Sequence, residues 1–218
     1  MAQVAVIGIN SFGYHVARAL ARNGNEVLAM DQQEPIIDRI KGYVSKAVMA
    51  DATDKRVLRE LNMSQMDAVV LSLGSKLDAS ILVAMHLLDL KVKNIVAKAV
   101  SDDHVKILER IGVHRVVFLE RDMGERIAAS LQGVHIMDYL PIGSDMSIIE
   151  MSPLKEMIGK NLIELDFRNR YNCQVLSIRD TQSGLTLSPP EADTQIEPFH
   201  VLTVMGTKDL IASLSKRK

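Results

Sequence analysis

Apolar runs and amphipathic segments alternate along the first part of the chain. Residues 4–7 and 27–30 are apolar runs of strand length, and the segment between them carries Val16, Ala19 and Leu20 at helical spacing. Short apolar runs flanked by glycine and polar residues are typical of buried strands, and a period near 3.6 is typical of a helix packed on one face. Residues 3–31 therefore predict a strand, a tight loop, a helix and a second strand, the first half of a dinucleotide-type βαβ unit.

The same alternation continues to about residue 135. Apolar runs at 44–49, 67–73, 94–99 and 114–119 predict four more strands, and the segments at 35–41, 57–61, 78–90, 102–111 and 124–131 predict helices. Regular alternation of strand and helix is typical of a parallel sheet with helices on both faces. We therefore predict an α/β fold, a Rossmann-like doubly wound parallel sheet, over residues 1–135.

The pattern changes in the remaining part of the chain. A turn-rich stretch at 139–143 is predicted to be a connector, and the later apolar segments are short and alternate with polar residues. Strands are predicted at 147–151, 174–178, 185–187 and 200–205, helices at 163–170 and 208–214, a hairpin turn at 181–184 and a loop at 189–190. Short alternating strands joined by turns favour an antiparallel sheet. Residues 136–218 are therefore predicted to form a second, small α+β domain.

Two glycines bound the loop after the first predicted strand. Gly8 and Gly13 keep the first and third places of the pattern G-x-G-x-x-G, and Asn10 stands in the second. The first glycine permits the turn, the third allows close packing of helix on strand, and the second lets backbone approach a pyrophosphate. Because free N–H groups at a helix N-terminus attract anions, the loop predicts a phosphate site that the bulk of Asn10 weakens. The alternative is a Rossmann-like domain that has lost its ligand.

Acidic residues follow two of the predicted strands. Asp31 ends the second strand, where a carboxylate accepts hydrogen bonds from the two hydroxyls of a ribose. Gln32 follows it, so no basic residue waits there for a 2′-phosphate, which argues against NADP. After the third strand, Asp51 and Thr53 are predicted to border the adenine or the ribose, and the alternative is that Thr53 or Asp54 caps the next helix. Together these positions predict an adenine nucleotide as the ligand.

Lys98 lies at the carboxyl end of the fifth predicted strand, between apolar residues. Burying an ammonium group without a partner is costly, so this lysine requires an anion nearby. We predict that the anion is a phosphate of the ligand, and the alternative is a carboxylate such as that of Asp51.

The composition limits the functional classes. The 218 residues carry a net charge of -1 and are 47% hydrophobic and 24% charged, which is typical of a globular protein and gives no support to a nucleic-acid partner recognised through bulk charge. With four Phe, four Tyr and no Trp, base stacking on aromatic platforms is not expected either. Cys173 is the single cysteine, no signal peptide precedes the first strand, and no apolar run approaches the roughly 20 residues of a membrane helix. We therefore expect a cytoplasmic protein.

No catalytic constellation stands out in the sequence. The chain lacks the phosphoryl-transfer motif G-x-x-x-x-G-K-S/T, and we find no Ser/His/Asp set, Cys/His set or paired carboxylates at catalytic spacing. A dehydrogenase needs a proton-transfer residue beside the nicotinamide and a substrate domain that encloses the cleft, for which the second domain is too small. A nucleotide-sensing protein is therefore predicted rather than an enzyme. The alternative is an NAD-linked oxidoreductase or a redox sensor.

Motifs spread over nearly the whole chain carry a resemblance to one family. The N-terminal part contains GINSFG at 8–13, LAMD at 28–31, DATD at 51–54, VAKA at 96–99 and ERDMG at 120–124, and the C-terminal part contains LDFR at 165–168, LSP at 187–189 and VMG at 204–206. Together they resemble the RCK-domain regulatory subunits of bacterial potassium uptake systems, of the KtrA and TrkA type. The two parts follow the order of the N-terminal and C-terminal RCK domains in that family.

The resemblance implies a function and a ligand. Such subunits form homodimers that assemble into an octameric cytoplasmic ring at the inner face of the membrane, where the ring gates a potassium-translocating partner of the KtrB or TrkH type. KtrA-type subunits use ATP or ADP, and TrkA-type subunits use NAD(H). By motif position, the nucleotide site would comprise Gly8, Ile9, Asn10, Ser11, Phe12, Gly13, Asp31, Gln32, Asp51, Ala52, Thr53, Gly74, Lys98 and Glu120.

The resemblance also has implications for single positions. Glu120 is where such subunits can hold a divalent cation near the nucleotide phosphates, and carboxylate and phosphate oxygens suit a hard cation. Ser11 stands where the family commonly has arginine, so we predict weakened discrimination between ATP and ADP, or another adenine ligand such as AMP or NAD. Arg168 and Pro189 match positions at which some members bind cyclic-di-AMP at the dimer interface, with Gln174 in place of the usual asparagine. The alternative for these residues is a plain dimerisation domain.

Overall fold

The chain divides into two compact units. The structure, a computed structural model, describes residues 1–74, 76–132, 136–142 and 145–207. The first unit is Met1–Glu120 and the second is Arg121–Lys218, so the division falls earlier than the boundary expected at residue 135. Two sequence predictions, Gly143 in the connector and the helix at 208–214, lie outside the described residues.

A parallel sheet forms the middle of the first unit. Its strands are β1 (Gln3–Ile7), β2 (Glu26–Asp31), β3 (Lys46–Met49), β4 (Ala68–Leu71), β5 (Ile95–Lys98) and β6 (Arg115–Val117). They lie in the order β3-β2-β1-β4-β5-β6, and the neighbouring strands are parallel. The order reverses between β1 and β4, so a crevice opens outside the carboxyl ends of these strands. The predicted doubly wound parallel sheet is confirmed.

Helices cover both faces of this sheet. They are α1 (Ser11–Arg22), α2 (Glu34–Ile40), α3 (Lys55–Glu60), α4 (Leu77–Asp89) and α5 (Asp102–Arg110). Ala17 of α1 and Ile37 of α2 belong to one apolar cluster, whereas Leu58, Leu87 and Leu108 of the other three helices belong to a second cluster. Successive residues of β1 alternate between the two clusters, because successive side chains of a strand point to opposite faces.

One predicted residue of the buried face of α1 is misplaced. Gly13 and Ala17 are buried and Leu20 is half-buried, whereas Ala19 is exposed. Residues 13, 17 and 20 follow the three- and four-residue spacing of a single helix face, and residue 19 lies off that face. The prediction for Ala19 was wrong because the buried face of α1 is centred on Gly13 and Ala17.

Helix α6 (Leu119–Gln132) begins earlier than the predicted start at residue 124. Strand β6 is correspondingly short and ends at Val117. Glu120 therefore lies in the first turn of a helix rather than at the end of a strand.

The second unit contains an antiparallel sheet. Its strands are β7 (Ile136–Ile142), β8 (Met146–Met151), β9 (Gln174–Asp180), β10 (Thr186–Leu187) and β11 (His200–Thr207), in the order β10-β9-β11-β8-β7. The mostly antiparallel sheet was predicted, but the expected connector at 139–143 was wrong, since its residues up to Ile142 belong to β7. Pro141 is tolerated there because β7 is an edge strand, where a missing N–H costs no ladder hydrogen bond.

The helix predicted at 163–170 is two short helices, α7 (Leu162–Leu165) and α8 (Phe167–Tyr171). Asp166 separates them with a φ of 43°, a left-handed conformation that ends the first helix. Phe167 and Tyr171 belong to the apolar core of this unit.

Candidate functional site

The glycine loop between β1 and α1 is packed too tightly for side chains at two positions. Gly8 has a φ of +86°, and a Cβ there would lie 2.0 Å from the carbonyl oxygen of Ser72. A Cβ on Gly13 would lie 2.0 Å from the carbonyl oxygen of Gly8. Both glycines are therefore required by the backbone path, as the loop pattern predicted.

Asn10 caps the start of α1, a role that the sequence analysis did not predict. Its φ of −66° does not require glycine. Its Oδ1 accepts hydrogen bonds from the Gly13 N–H at 3.2 Å and from Ser72 Oγ at 3.0 Å, and its Nδ2 donates to the Ser72 carbonyl at 2.8 Å. The side chain thus caps the helix and joins the loop to the end of β4.

Other residues predicted for the loop have different positions. Ser11 is the exposed first residue of α1, whereas Phe12 packs against the apolar cluster beneath α1 and α2. Ile9 is buried in the same cluster. Because Ser11 and Phe12 begin the helix, their N–H groups have no intrahelical acceptor and are free for an anion.

Asp31 joins the glycine loop to the end of β2. Its Oδ2 accepts the Ile9 N–H at 2.8 Å, and its Oδ1 accepts the Gln33 N–H at 3.1 Å. A carboxylate has about four acceptor sites, so each oxygen keeps capacity for a ligand hydroxyl. The backbone bonds hold the carboxylate in one orientation.

For the residues after β3, the sequence left two roles open, which were bordering the ligand and capping the next helix. Asp51 Oδ1 accepts hydrogen bonds from the Thr53 N–H at 2.9 Å and the Thr53 hydroxyl at 2.7 Å, and these bonds, more than the smaller effects of Gln32 and Lys76, hold the pKa of Asp51 below its usual value. Asp54, not Thr53, caps α3 by accepting the Arg56 N–H at 2.9 Å. Capping therefore leaves Asp51 and Thr53 facing the crevice.

These strand ends surround a cleft of about 220 Å³. Eight residues predicted for the nucleotide site line it: Gly8, Asn10, Asp31, Gln32, Asp51, Ala52, Thr53 and Gly74. Six do not: Ile9, Ser11, Phe12, Gly13, Lys98 and Glu120. The remaining lining residues are Ile7, Met30, Gln33, Ile36, Ala50, Ser72, Leu73, Lys76 and Ala79.

Three polar residues of the cleft, Gln33, Ser72 and Lys76, were missed from the sequence. Ser72 follows β4 directly, and its place after an apolar run at the carboxyl edge was a usable signal. Lys76 lies further along, just before α4, and donates to Gln32 Oε1 at 3.2 Å. No local pattern distinguishes this lysine from an ordinary exposed one, since only the fold brings it to the end of β2.

Lys98, at the end of β5, and Glu120, in the first turn of α6, form an ion pair. Lys98 Nζ lies 2.7 Å from Glu120 Oε1, and the lysine side chain is only 14% exposed. The hydrogen bond from Lys98 lowers the pKa of Glu120. The alternative of a carboxylate partner for Lys98 is therefore confirmed, but the carboxylate is that of Glu120 and not that of Asp51, which was named as the example.

A separate groove in the second unit brings together three predicted residues. Arg168 lies in α8, Gln174 begins β9, and Pro189 lies in the loop after β10. All three line one groove of about 480 Å³. Cys173 also lines it, but burial raises the pKa of this thiol to about 11, so it stays protonated near neutral pH.

Neither a metal cluster nor a membrane helix is found in the described ranges. Among these residues, no three His, Cys, Asp or Glu side chains are grouped so as to hold a metal ion. Within the same part of the chain, no helix combines the length and the apolar character that crossing a bilayer demands.

Comparison with known proteins identifies the family. The TrkA-N domain family model matches residues 4–119, and the TrkA-C domain family model matches residues 146–218. The chain belongs to the TrkA-N/TrkA-C family. The resemblance drawn from its motifs is thereby confirmed.

Two relatives of this TrkA-N/TrkA-C chain are proteins of a Ktr potassium uptake system. Ktr system potassium uptake protein C of Bacillus subtilis (strain 168) is 34% identical over 215 residues, which cover 99% of this chain and 96% of the relative. Protein A of the same Ktr system is 34% identical over 206 residues, which cover 94% and 92%. The solved structure of the GsuK channel bound to NAD has a TM-score of 0.70 at 18% identity and covers 98% of this chain and 38% of that chain. At that identity, the likeness shows a shared fold.

In this TrkA-N/TrkA-C protein, the two candidate sites belong to different matched domains. The cleft with Asp31 and Asp51 lies within the TrkA-N match, and the groove with Arg168 lies within the TrkA-C match. Each domain thus has its own candidate binding site.

Proposed function

We propose that this chain is a cytoplasmic, nucleotide-sensing regulatory subunit of a bacterial potassium uptake system. The observation that carries the proposal is the cleft bounded by the Gly8 loop and Asp31, in a chain 34% identical to Ktr potassium uptake proteins over almost its full length. Its partner is a potassium-translocating membrane subunit of the KtrB or TrkH type. Binding of the nucleotide serves to change shape, and no reaction is performed on it.

The ligand is an adenine nucleotide. The free N–H groups at the start of α1 suit a phosphate, and the oriented carboxylate of Asp31 suits the ribose diol. Asp51, Ala52 and Thr53 line the cleft where the adenine would lie. ATP and ADP are the first candidates, followed by AMP and NAD(H).

Ser11 bears on the choice among these nucleotides. It supplies no positive charge at the start of α1, and the neighbouring Gly13 N–H is already bonded to Asn10. The terminal phosphate of ATP therefore gains little over that of ADP at this end of the cleft. We expect similar affinities for the two, and a much tighter binding of ATP would contradict this.

The mechanism is allosteric. A ligand shifts a conformational equilibrium only by its difference in affinity for the two states, and typical coupling free energies are about 1–3 kcal/mol. A homodimer assembled into an octameric ring would add such differences over several sites. In this arrangement, the domain at 1–135 senses the nucleotide and the domain at 136–218 completes the subunit.

Two further ligands belong to the proposal. A divalent cation at Glu120 would have one carboxylate there, already bonded to Lys98, and would depend on phosphate oxygens for its other ligands. Cyclic-di-AMP is the candidate for the groove lined by Arg168, Gln174 and Pro189, where Arg168 would face a phosphate. Calorimetry with Mg²⁺ and ADP together, and with cyclic-di-AMP alone, tests each of these separately.

The decisive experiment is mass spectrometry of the ligand retained by the purified protein. Competition among ATP, ADP, AMP and NADH then ranks their affinities, and a hydride-transfer assay with common small substrates tests the oxidoreductase alternative. Asp31→Ala should weaken adenine nucleotides about tenfold or more, because hydrogen bonds to a charged group are strong. Asp38→Ala on α2 removes an equal charge outside the cleft and should leave the affinity unchanged. A purified protein that binds none of the four nucleotides, or that turns over a substrate, would overturn the proposal.

A further inference from the structure

Lys76 makes a contact between two segments that line the cleft. It lies just before α4, on the segment that follows β4, and its Nζ donates to Oε1 of Gln32, the residue after β2, at 3.2 Å. Strands β2 and β4 are separated by β1 in the sheet, so their ends lie roughly 10 Å apart. The contact therefore joins the segment after β4 to the segment that carries Asp31, although β1 separates the two strands in the sheet.

The charge of the cleft makes this lysine distinctive. Among the described residues that line the cleft, the charged ones are Asp31, Asp51 and Lys76. Gln32, the partner of Lys76, is the chain neighbour of Asp31, and both Gln32 and Lys76 act on Asp51 by lowering its pKa. The ammonium group thus lies beside the ends of β2 and β3, where the adenosine part of a nucleotide is expected.

The hydrogen-bonding capacity of the two side chains is complementary. The Asp31 carboxylate only accepts, and after its two backbone bonds it retains sites for ligand hydroxyls. The Lys76 ammonium only donates, and its bond to Gln32 uses one of its three N–H groups. A ribose hydroxyl can both donate and accept a hydrogen bond, so the same hydroxyl can donate to Asp31 and accept from Lys76.

We infer that Lys76 is a specificity-determining residue that binds the ribose diol of the nucleotide together with Asp31, so that the cleft selects ribonucleotides over 2′-deoxyribonucleotides. The inference rests on the proposed function. It adds a residue that donates to the 2′-hydroxyl while Asp31 accepts from it. Removing either the hydroxyl or the lysine breaks the same hydrogen bond.

The test is calorimetric titration of ADP and 2′-deoxy-ADP into the full chain and its variants. Lys76→Met should weaken ADP about fivefold or more, and should weaken 2′-deoxy-ADP less than about twofold, because that ligand has already lost the bond. Lys76→Arg, which keeps donors on a long side chain, should restore part of the preference for ADP. Lys93→Met is the matched control, since Lys93 is 68% exposed and pairs with Asp67 at 3.7 Å outside the cleft.

The outcomes separate this inference from the proposed function. If Lys76→Met weakened ADP and 2′-deoxy-ADP equally, the lysine would act through its overall charge or by contacting the adenine. That result would overturn this inference and leave the proposed function standing. Unchanged ADP binding by Lys76→Met would do the same. Absence of ADP binding by the unaltered chain, with AMP, ATP and NADH also inactive, would overturn both.

Discussion

Asn10 and Ser72 are joined by two hydrogen bonds that run in opposite directions. Asn10 Nδ2 donates to the Ser72 carbonyl at 2.8 Å, and Ser72 Oγ donates to Asn10 Oδ1 at 3.0 Å. Ser72 is completely buried, so its hydroxyl and its carbonyl oxygen depend on this partner. The pair connects the glycine loop to the end of β4. Asn10, the residue that departs from the glycine pattern, therefore has a structural role.

Replacing Asn10 by alanine should destabilise the first unit. The substitution removes the helix cap and leaves buried polar atoms of Ser72 without partners, and together these losses should lower the free energy of unfolding by about 2 kcal/mol. Asn10→Asp keeps the acceptor for Gly13 but loses the donor to Ser72, so its effect should be intermediate. Urea denaturation measures both.

The control for this prediction is Asn94→Ala. Asn94 is exposed on the loop before β5, so its loss should change the unfolding free energy by less than about 0.5 kcal/mol. Equal stabilities of the Asn10→Ala and Asn94→Ala variants would show that the hydrogen bonds between Asn10 and Ser72 contribute nothing to stability.

Gly8→Ala should be among the most damaging substitutions in the chain. The added Cβ would lie 2.0 Å from a backbone oxygen at a φ of +86°, and the combined overlap and backbone strain should cost about 3 kcal/mol or more. Gly24→Ala separates the two causes, because Gly24 has a φ of +80° and a Cβ added there would meet nothing within 4 Å. That variant should lose only about 1 kcal/mol. Similar melting temperatures for the two variants would contradict the close approach of the loop to Ser72.

The ion pair between Lys98 and Glu120 should make stability depend on acid pH. The hydrogen bond from Lys98 lowers the pKa of Glu120 below its ordinary 4.5. The stabilisation is therefore fully present above about pH 4.5 and is lost as the pH falls through the lowered pKa. Glu120→Gln should be less stable than the unaltered chain at pH 7 by no more than about 1 kcal/mol. The difference should shrink in urea titrations carried to pH 3, and a difference that grows toward acid would contradict the assignment.

His104 should destabilise the protein as the pH falls below neutrality. It is completely buried on α5, and within the described residues neither ring nitrogen has a hydrogen-bond partner. Burial lowers its pKa below the ordinary 6.5, so the unfolded chain takes up a proton that the folded chain resists. Stability should therefore decline as the pH drops below about 6.5 and continue to decline until the lowered pKa is reached.

His104→Leu tests this directly. A leucine of similar volume cannot be protonated, so the variant should be more stable than the unaltered chain by about 1 kcal/mol at pH 7.5, with a larger margin at pH 5. His15→Leu, at an exposed position on α1, is the control and should change the unfolding free energy by less than about 0.5 kcal/mol. If the stability difference between His104→Leu and the unaltered chain did not change with pH, a group other than His104 would cause the loss of stability in acid.

Much of the first unit could be predicted because its signals are local. The apolar runs of β1 and β2, the glycines at 8 and 13, and an acid at the end of β2 lie within 31 consecutive residues. Hydrophobic periodicity specifies such elements with little help from distant residues. The second unit was harder, since turn-forming Pro141 lies inside β7, where only the edge position in the sheet makes it acceptable.

The candidate site likewise has one part that the local sequence predicted and another part that only the fold showed. Local pattern placed Asp31, Asp51 and Thr53 at strand ends, but it could not show that Glu120 neutralises Lys98 or that Lys76 reaches Gln32.

The amino-acid sequence by itself determined most strands of the first unit, the glycine turn and the family, because each is recognised from short runs of residues that are close together in the chain. The tertiary structure alone decided which charges meet. Lys76 and Gln32 are 44 residues apart, and Lys98 and Glu120 are 22 apart. Pairing over such separations is set by the order of the strands in the sheet, which brings the carboxyl ends of β2, β3 and β4 around one cleft.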